Sequence, residues 1–383
     1  MHIGFSEDHA AWRDAVDDFC ERTVRPHLAT MDLDRPPTKE EWAAFRLALH
    51  GKGIVDEYPT DVDGQPDLLA FGILLESMAR VSSFGASYVS DRVYVPRFLG
   101  QLLGPDQRER YGHHTTGESN IAVCISEPDA GSDTLGMTTT AKRRPDGTWV
   151  INGRKSWISR GSRADVALIY ARILDDGTAG RFALFVADVG EGFHASPVRT
   201  LGLAAQDLCD VFLDDLVVPD EARIAGEGRR KIFEAIGPGR ASQALIATGF
   251  AQAALDLALP YAKERHQFGR PIGGFQLVQG LIADMAMGVT SSRLMAYNAM
   301  NALLTLGPDG SRAAVSMAKA YCTEAAVRVA SLGMEVQGAM GITREAGAER
   351  LFRDARMLIV PDGTAQIQRL IIGRELTGID AVN

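Results

Sequence analysis

A carboxylate stands at the start of a helical pattern near the C-terminus, in the segment RDARMLIVPDGTAQIQRLIIGREL at 353–376. Asp362 is followed by Gly363 and Thr364, and the helical pattern begins directly after them. A carboxylate on such a turn acts as a general base when it lies within hydrogen-bond reach of a substrate proton. The simpler alternative is that Asp362 or Thr364 caps the helix, which is the commonest use of these residue types at this place.

Two turns in the middle of the chain carry serine hydroxyl groups. The segment ISEPDAGSD at 125–133 ends a predicted strand, and NGRKSWIS at 152–159 leads from a second turn into Trp157 and Ser159. The first segment reads equally well as a capped turn, and a tryptophan on a strand is ordinarily a core residue. Each segment alone therefore leaves its role open.

Two further segments could hold an anionic, flat cofactor. In YAKERHQFGRPI at 261–272, Arg265 and Phe268 stand at the end of a long predicted helix, where a cation and an aromatic ring offer charge-assisted bonds and ring contact. In VQGAMGITRE at 336–345, Gly338 and Gly341 permit close approach of the backbone to a phosphate. A surface helix end is the alternative for the first, and a lone Gly-x-x-Gly is a weak motif.

The elements that must position these residues change in kind along the chain. Apolar residues recur at helical spacing from position 6 to about 103, and the period becomes two between 120 and about 219, as in ADVALIYAR and RFALFVADV. Helical spacing returns in segments at roughly 233–265, 276–305 and 311–340, with a shorter helix after Gly363. The sequence therefore predicts helices, then strands, then helices.

Composition excludes several classes of function. The 383 residues carry a formal net charge of -9, so a general nucleic-acid binder is not expected. The four cysteines lie far apart without a CxxC pair, which predicts neither a disulfide framework nor a metal site. The N-terminus has no apolar signal segment, and we expect no membrane span. A reducing cytoplasm is the expected location.

Taken together and in this order, the five segments resemble the acyl-CoA dehydrogenase family over nearly the whole chain. The resemblance implies an α+β multidomain fold with an N-terminal helical domain at 1–119, a middle β-barrel domain at 120–231 and a C-terminal four-helix bundle at 232–383. It also implies FAD between the β domain and the last helices. A homotetramer or homodimer is expected, because in this family the neighbouring subunit supplies part of the FAD site.

The same resemblance assigns roles to single residues. The flavin and its pyrophosphate would be lined by Ser126, Ser132, Trp157 and Ser159, and contacted again by Thr364 and Gln366. The partner subunit would hold the ADP portion through Arg265, Phe268 and the loop from Gly338 to Gly341. Ser126 and Ser159 stand where threonine is more usual, but each keeps a hydroxyl group.

The base departs from the family pattern. The resembling sequences read Glu-Gly-Thr before the final helix, whereas this chain has Asp362, which is shorter by about 1.5 Å of reach. Some relatives carry the base instead just before the arginine of the segment aligned with GPGRAS, and here that position is Gly239. Asp362 is thus the carboxylate that the resemblance offers as catalytic base, with Arg240 beside it to orient the base or its loop.

Three functional hypotheses follow from the resemblance. In the first, Asp362 takes the α-proton of an acyl thioester on coenzyme A or on a carrier protein, and the β-hydrogen passes to flavin N5. In the second, an aspartate base serves a changed substrate, as in nitroalkane oxidases, which return electrons to oxygen. In the third, the fold is kept as a catalytically silent binding module. The electron acceptor is expected to be an electron-transfer flavoprotein or oxygen.

Overall fold

Helices form the first part of the chain in the computed structural model, which describes residues 5–56, 59–61, 63–64, 66–174, 181–225 and 228–381, with the backbone alone for 228–235. A π-helical turn at Ser90–Tyr94 joins α5 to α6 without a break, and another at Cys20–Val24 joins α1 to α2. The helices are α1 Glu7–Phe19, α2 Arg25–Leu28, α3 Lys39–Leu49, α4 Leu68–Val81, α5 Ser83–Val89, α6 Val95–Leu102 and α7 Pro105–Tyr111.

Side-chain caps mark where α3 and α4 begin, and burial explains why α4 is mostly apolar. Thr38 and Glu41 form a capping box at the start of α3, and the Asp67 carboxylate accepts from the first amides of α4. The α4 residues from 69 to 79 are buried on every face, because α4 lies between other helices. Burial on every face holds α4 in place. α5 packs against α4, and the π-helical turn Ser90–Tyr94 follows α5.

Strands β1 to β7 form one sheet in the middle of the chain. β4 pairs with β5 on one side, and on the other it pairs in parallel with β1 along its first half and with β2 along its second half. The order then continues from β2 through β3 and β7 to β6. The strands are β1 Ile121–Cys124, β2 Thr140–Arg143, β3 Trp149–Ser159, β4 Val166–Ile173, β5 Phe182–Asp188, β6 Phe193–Pro197 and β7 Leu208–Val218.

Helices return in the last part of the chain, which confirms the predicted order of elements. α8 is Gly228–Glu264, α9 is Gln276–Gly310, α10 is Arg312–Gln337, α11 is Ala348–Met357 and α12 is Ala365–Thr377. A hairpin of β8 His266–Gln267 and β9 Arg270–Pro271 separates α8 from α9. The predicted 311–340 helix ends earlier, since Gly338 has a φ of 59° that stops α10, and α11 was not predicted.

The cores show how these parts meet. One apolar cluster is continuous from α1 to α10, so the first and last groups of helices share a single core. Alternate residues of β4 face two different clusters, one inside the sheet and one shared with α6 and α7. In the described part of the chain, Ile236–Glu264 alone is long and apolar enough to cross a membrane, and 67% of its most apolar window is buried inside the protein.

Candidate active site

The turn before α12 leaves Asp362 without a capping role. Thr364 is the N-cap of α12, where its hydroxyl accepts a hydrogen bond of 3.3 Å from the amide of Ile367. Asp362 has a φ of 56° and Gly363 a φ of 90°, so the chain makes a left-handed turn that directs the Asp362 side chain away from the helix. Of the two capping candidates in the sequence, Thr364 is the cap, and the Asp362 carboxylate lines a cavity.

Three side chains from three helices anchor the backbone of this turn. Arg240 Nε donates to the carbonyl of Asp362 at 2.8 Å, and Gln368 Nε2 donates to the same oxygen at 3.1 Å. Lys319 Nζ donates to the carbonyls of Ile359 and Gly363 at 2.7 and 2.8 Å. Because these three donors bind backbone oxygens, they hold Asp362 in place without occupying its side-chain oxygens.

The electrostatic surroundings of Asp362 suit a proton acceptor. Burial raises the pKa of its carboxyl group above the ordinary value, against the opposing effect of Arg240 and Lys319 and of a hydrogen bond from Gln243. Burial also lowers the pKa of Lys319 to about 8. A carboxylate with a raised pKa is a stronger base than a solvated aspartate and is better matched to proton transfer near neutral pH.

The cavity that Asp362 faces has a volume of ≈ 350 Å³ and lies between the sheet and the two groups of helices. Its wall combines residues from α5, α6, α8, the turn before α12 and the loops beside β1 and β3. The sequence-predicted residues that the structure brings together here are Ser126, Ser132, Ser159, Arg240 and Asp362.

A buried ion pair joins the two serine-bearing turns. Lys155 Nζ contacts Glu127 Oε1 at 3.0 Å and donates to the carbonyl of Ile125 at 2.8 Å. Burial would raise the pKa of Glu127, but hydrogen bonds from Thr138 and Thr139 outweigh it and lower the pKa to about 2. The amide of Ser156 donates to the carbonyl of Ser126 at 2.9 Å, so the 125–133 turn is fastened to β3.

Trp157 lies beside this junction and is not a core residue. It occupies an irregularity in the pairing of β3 with β7, has a φ of 64°, and leaves 59% of its surface exposed. A left-handed backbone is unusual for a bulky residue and marks a position under local constraint. The strained bulge presents the indole ring to solvent next to the serine-lined wall.

The remaining predicted residues lie outside the cavity wall. Arg265 and Phe268 belong to the β8–β9 hairpin, where Phe268 and Gly269 both have positive φ as a two-residue hairpin turn requires, and 93% of Phe268 is exposed. A Cβ atom at Gly341 would lie 2.3 Å from the carbonyl oxygen of Met334, so packing on α10 already requires glycine there. Thr364, Gln366 and Gly338 also lie outside the wall.

Sequence reasoning missed several of the residues that shape this site. Gln243 lies one helical turn after Gly239 on α8, and its place on the same face of the helix as Gly239 was the available signal. Lys319 is fully buried in α10, where a lysine on an apolar face was a similar signal. Nothing local pairs Lys155 with Glu127, because they lie on different segments.

The turn before α12 thus places a half-buried carboxylate in a cavity whose lining also carries serine hydroxyl groups. Residues 122–216 match the family described as acyl-CoA dehydrogenase, middle domain, and residues 226–377 match acyl-CoA dehydrogenase, C-terminal domain. The chain therefore belongs to the acyl-CoA dehydrogenase family, whose members are FAD-dependent oxidoreductases.

Individual relatives agree over the full length. Glutaryl-CoA dehydrogenase of Desulfococcus multivorans is 38% identical over 399 residues, with 100% of each chain covered. The caffeyl-CoA reductase-Etf complex subunit CarC of Acetobacterium woodii is 33% identical over 383 residues, covering 96% of this chain and 98% of that protein. The crystal structure of glutaryl-CoA dehydrogenase from Mycobacterium smegmatis has a TM-score of 0.86 at 27% identity, covering 99% and 97%.

Proposed function

We propose that this protein is an FAD-dependent acyl-thioester dehydrogenase that introduces an α,β double bond into a small or medium acyl group, with Asp362 as the base. The observation that carries the proposal is the position of Asp362. Three donors fix the backbone of the turn that carries it, while its carboxyl group has a raised pKa and lies in a cavity. A carboxylate prepared in this way is what removal of a weakly acidic α-proton requires.

The chain's own residues divide the work of this reaction. A side-chain oxygen of Asp362 accepts the α-proton. Arg240 keeps Asp362 in position by donating a hydrogen bond to its backbone carbonyl oxygen. Once protonated, Asp362 no longer carries a buried negative charge, so its environment favours the product state of the proton transfer. Bound FAD supplies the acceptor for the β-hydrogen, which leaves with its electron pair.

The residues around the cavity fit FAD. Ser126 and Ser159 offer hydroxyl groups on the wall across from Asp362, and the exposed Trp157 ring offers a flat apolar surface beside them. We assign Ser132 to the pyrophosphate and Thr364 and Gln366 to further contacts. The ADP portion is assigned to Arg265, Phe268 and the Gly338–Gly341 loop of a neighbouring subunit, which makes a homotetramer or homodimer part of the proposal.

The short aspartate side chain limits how the substrate lies. Proton transfer needs the donor carbon and the acceptor oxygen within about 3 Å, and aspartate reaches about 1.5 Å less far than glutamate. The α-carbon must therefore approach the turn before α12 more closely than it would approach a glutamate. The thioester arm belongs to coenzyme A or a carrier protein, and the location is the cytoplasm.

The electron acceptor is proposed from a relative. The caffeyl-CoA reductase-Etf complex subunit CarC is named as part of an Etf complex, so an electron-transfer flavoprotein is the acceptor that we assign to this chain. Oxygen is the acceptor in the competing hypothesis, in which the aspartate base serves a nitroalkane and the enzyme is an oxidase.

The test follows reduction of the flavin. Purified holoenzyme is mixed anaerobically with a panel of acyl-CoA thioesters, and bleaching of the flavin supports the dehydrogenase. Peroxide release with nitroalkanes, and no reduction by any thioester, would overturn it. Asp362→Asn should lose reduction while keeping FAD, and wild-type rates in that variant would remove Asp362 as the base. Asp362→Glu should maintain or improve thioester reduction only if the enzyme is a dehydrogenase.

A further inference from the structure

A buried ion pair forms part of the cavity wall, and the proposed reaction does not use it. Asp91 and Arg160 contact each other, and the two residues are 5% and 7% exposed. Both line the same cavity as Asp362. A buried ion pair stabilises a fold little or not at all compared with apolar residues of similar volume, so its presence in a cavity wall suggests recognition rather than stability.

The backbone directs both side chains to this place. Asp91 lies in the π-helical turn Ser90–Tyr94, a kind of turn that is frequent at functional sites. Arg160 follows β3 with a left-handed φ of 63°, and its amide donates to the carbonyl of Asp207 at 2.8 Å. Two separate departures from regular backbone therefore bring the aspartate and the arginine together.

Tyr94 connects the turn that carries Asp91 to the base. Tyr94 is three residues after Asp91 in the same turn, and its hydroxyl oxygen is 3.6 Å from where a Cβ atom at Gly239 would stand. The same Cβ position is 3.5 Å from Oδ2 of Asp362. The π-helical turn that carries Asp91 therefore also comes close to the base, and an acyl group that extends from Asp362 along this turn would reach Asp91 and Arg160.

Further polar groups line the cavity beside apolar side chains such as Phe98 and Ile246. Arg160 Nε is buried and has no hydrogen-bond partner among the residues that the structure describes. A simple alkyl chain would leave such groups desolvated and unpaired, which is unfavourable. The polar residues of the cavity lining include Ser87, Ser90, Gln206, Ser242 and Gln243.

The charges in the cavity wall distinguish an acyl group that carries a carboxylate from one that carries a hydroxyl group. The lining residues that carry a charge at neutral pH are two cations, Arg160 and Arg240, and two anions, Asp91 and Asp362. A carboxylate on the acyl group would add a third negative charge to a balanced site. A hydroxyl group adds no charge, and it can donate to Asp91 while accepting from Arg160.

We infer that the acyl group of the substrate carries a hydroxyl group, which Asp91 and Arg160 bind together. This inference rests on the proposed dehydrogenase function and names its substrate class as short hydroxyacyl thioesters. The hydroxyl takes no part in the redox step. It fixes the acyl chain so that the α-carbon meets the short Asp362 side chain.

The experiment compares thioesters in which a hydroxyl replaces a methyl group of similar size. The pairs are 4-hydroxybutyryl with pentanoyl and 5-hydroxypentanoyl with hexanoyl, each on coenzyme A and on pantetheine, which carries the arm common to both carriers. Anaerobic flavin reduction gives the rate and the dissociation constant. We expect the ratio of the reduction rate to the dissociation constant to be higher by about tenfold or more for the hydroxylated member of at least one pair. A site that binds a hydroxyl disfavours an analogue lacking it.

A double variant tests the ion pair itself. Asp91→Leu with Arg160→Met removes both charges together, so that neither is left buried alone, and it should abolish or invert the preference for the hydroxylated substrate. The matched control makes the same two changes in an exposed pair between α1 and the π-helical turn that follows it, Asp18→Leu with Arg22→Met, and should keep the preference. FAD content and the unfolding midpoint show that both variants are folded.

The outcomes separate the inference from the function on which it rests. Reduction by no thioester would contradict the dehydrogenase itself. Reduction with the methyl analogues equal or preferred, or with glutaryl-CoA preferred over all of them, would overturn the hydroxyl assignment alone. A double variant that slows every thioester by the same factor would assign the pair to the flavin and would likewise overturn it.

Discussion

A Cβ atom placed on Gly239 would lie 3.5 Å from Oδ2 of Asp362. Glycine therefore stands where any longer side chain would reach the carboxylate at the turn before α12. Positions 239 and 362, the two places at which the resemblance allows a base, are thus next to each other in this fold. The two positions are neighbours on opposite sides of one small space, and this chain fills one of them.

The first prediction moves the base across that space. Asp362→Asn should lower the rate of flavin reduction by about a thousandfold, within the range that general bases contribute. Adding Gly239→Glu should recover at least tenfold of that loss, because a glutamate there starts from ordinary van der Waals contact with the side chain at 362. Single-turnover kinetics measure both changes.

The control carries an amide instead of an acid. Gly239→Gln in the Asp362→Asn background should recover nothing, because it fills the same volume without accepting a proton. Equal recovery by glutamine and glutamate would show that the space and not the carboxylate matters. Asparagine is used at 362 because it tolerates the positive φ of that residue.

The second prediction concerns the pH dependence that Lys319 gives to Asp362. The cation lowers the pKa of that carboxyl group, against the larger effect of burial, so Lys319→Met should raise the pKa further. The base works only when deprotonated, and the acid limb of the rate profile should therefore move to higher pH. The difference from wild type should shrink above pH 8, because the pKa of Lys319 is about 8.

Stopped-flow reduction from pH 5 to 9 measures this profile. Lys263→Met, on an exposed position near the end of α8, serves as the control and should leave the acid limb unchanged. An unshifted acid limb in a folded, FAD-containing Lys319→Met enzyme would show that the lysine only braces the carbonyls of Ile359 and Gly363. A loss confined to the maximum rate would lead to the same conclusion.

The sequence predicts those site residues whose roles depend on their immediate neighbours in the chain. The turn at Asp362, Gly363 and Thr364 could be placed before α12 because capping and left-handed turns have local signatures. Nothing local distinguishes the aromatic residues between positions 88 and 98, of which Tyr94 and Phe98 line the cavity. Tyr88, from the same stretch, instead packs against Trp42 and Phe45 in the core.

The parts that could not be predicted depend on contacts between distant segments. Lys319 reaches Gly363 across 44 positions, and Asp91 meets Arg160 from another domain. A buried charge is visible in sequence only as a polar residue in an apolar pattern, and its partner has no sequence signature. The left-handed bulge at Trp157 was missed for the same reason, since a strand pattern predicts a core tryptophan there.

The third prediction is that Glu127→Gln destabilises the β domain. It leaves the fully buried Lys155 ammonium without its carboxylate, which should lower the free energy of unfolding by about 3–5 kcal/mol. Lys155→Met with Glu127→Gln should recover much of that loss. Chemical denaturation of each protein measures the change, and a single variant as stable as wild type would contradict the assignment.

The same pair predicts a pH effect on stability. The pKa of Glu127 is lowered from 4.5 to about 2 in the folded protein, so its contribution is present above the unfolded value. That contribution should fall away between pH 4.5 and 2, and the Glu127→Gln variant should lack this part of the acid dependence. Equal acid dependence in both proteins would argue against the low pKa.

The last prediction concerns Phe268, which is 93% exposed at the tip of the β8–β9 hairpin. Within the described part of its own chain, its ring neighbour is Phe275, with centroids 6.0 Å apart. Arg265→Ala with Phe268→Ala should therefore change the free energy of unfolding of the apoprotein by no more than about 1 kcal/mol. FAD retention and flavin reduction should nevertheless fall, because we assign both side chains to the cofactor of a neighbouring subunit.

Complementation distinguishes that assignment from a role within the same chain. Asp362→Asn subunits lack the base but keep the hairpin, whereas Arg265→Ala, Phe268→Ala subunits lack the hairpin contacts but keep the base. If each site combines the base of one subunit with the hairpin of another, co-expressed mixed oligomers contain some complete sites, although either variant alone contains none. Flavin reduction should then return in oligomers purified through two different affinity tags. If the hairpin served its own subunit, every mixed site would lack one component, and the mixture would stay as inactive as its parents.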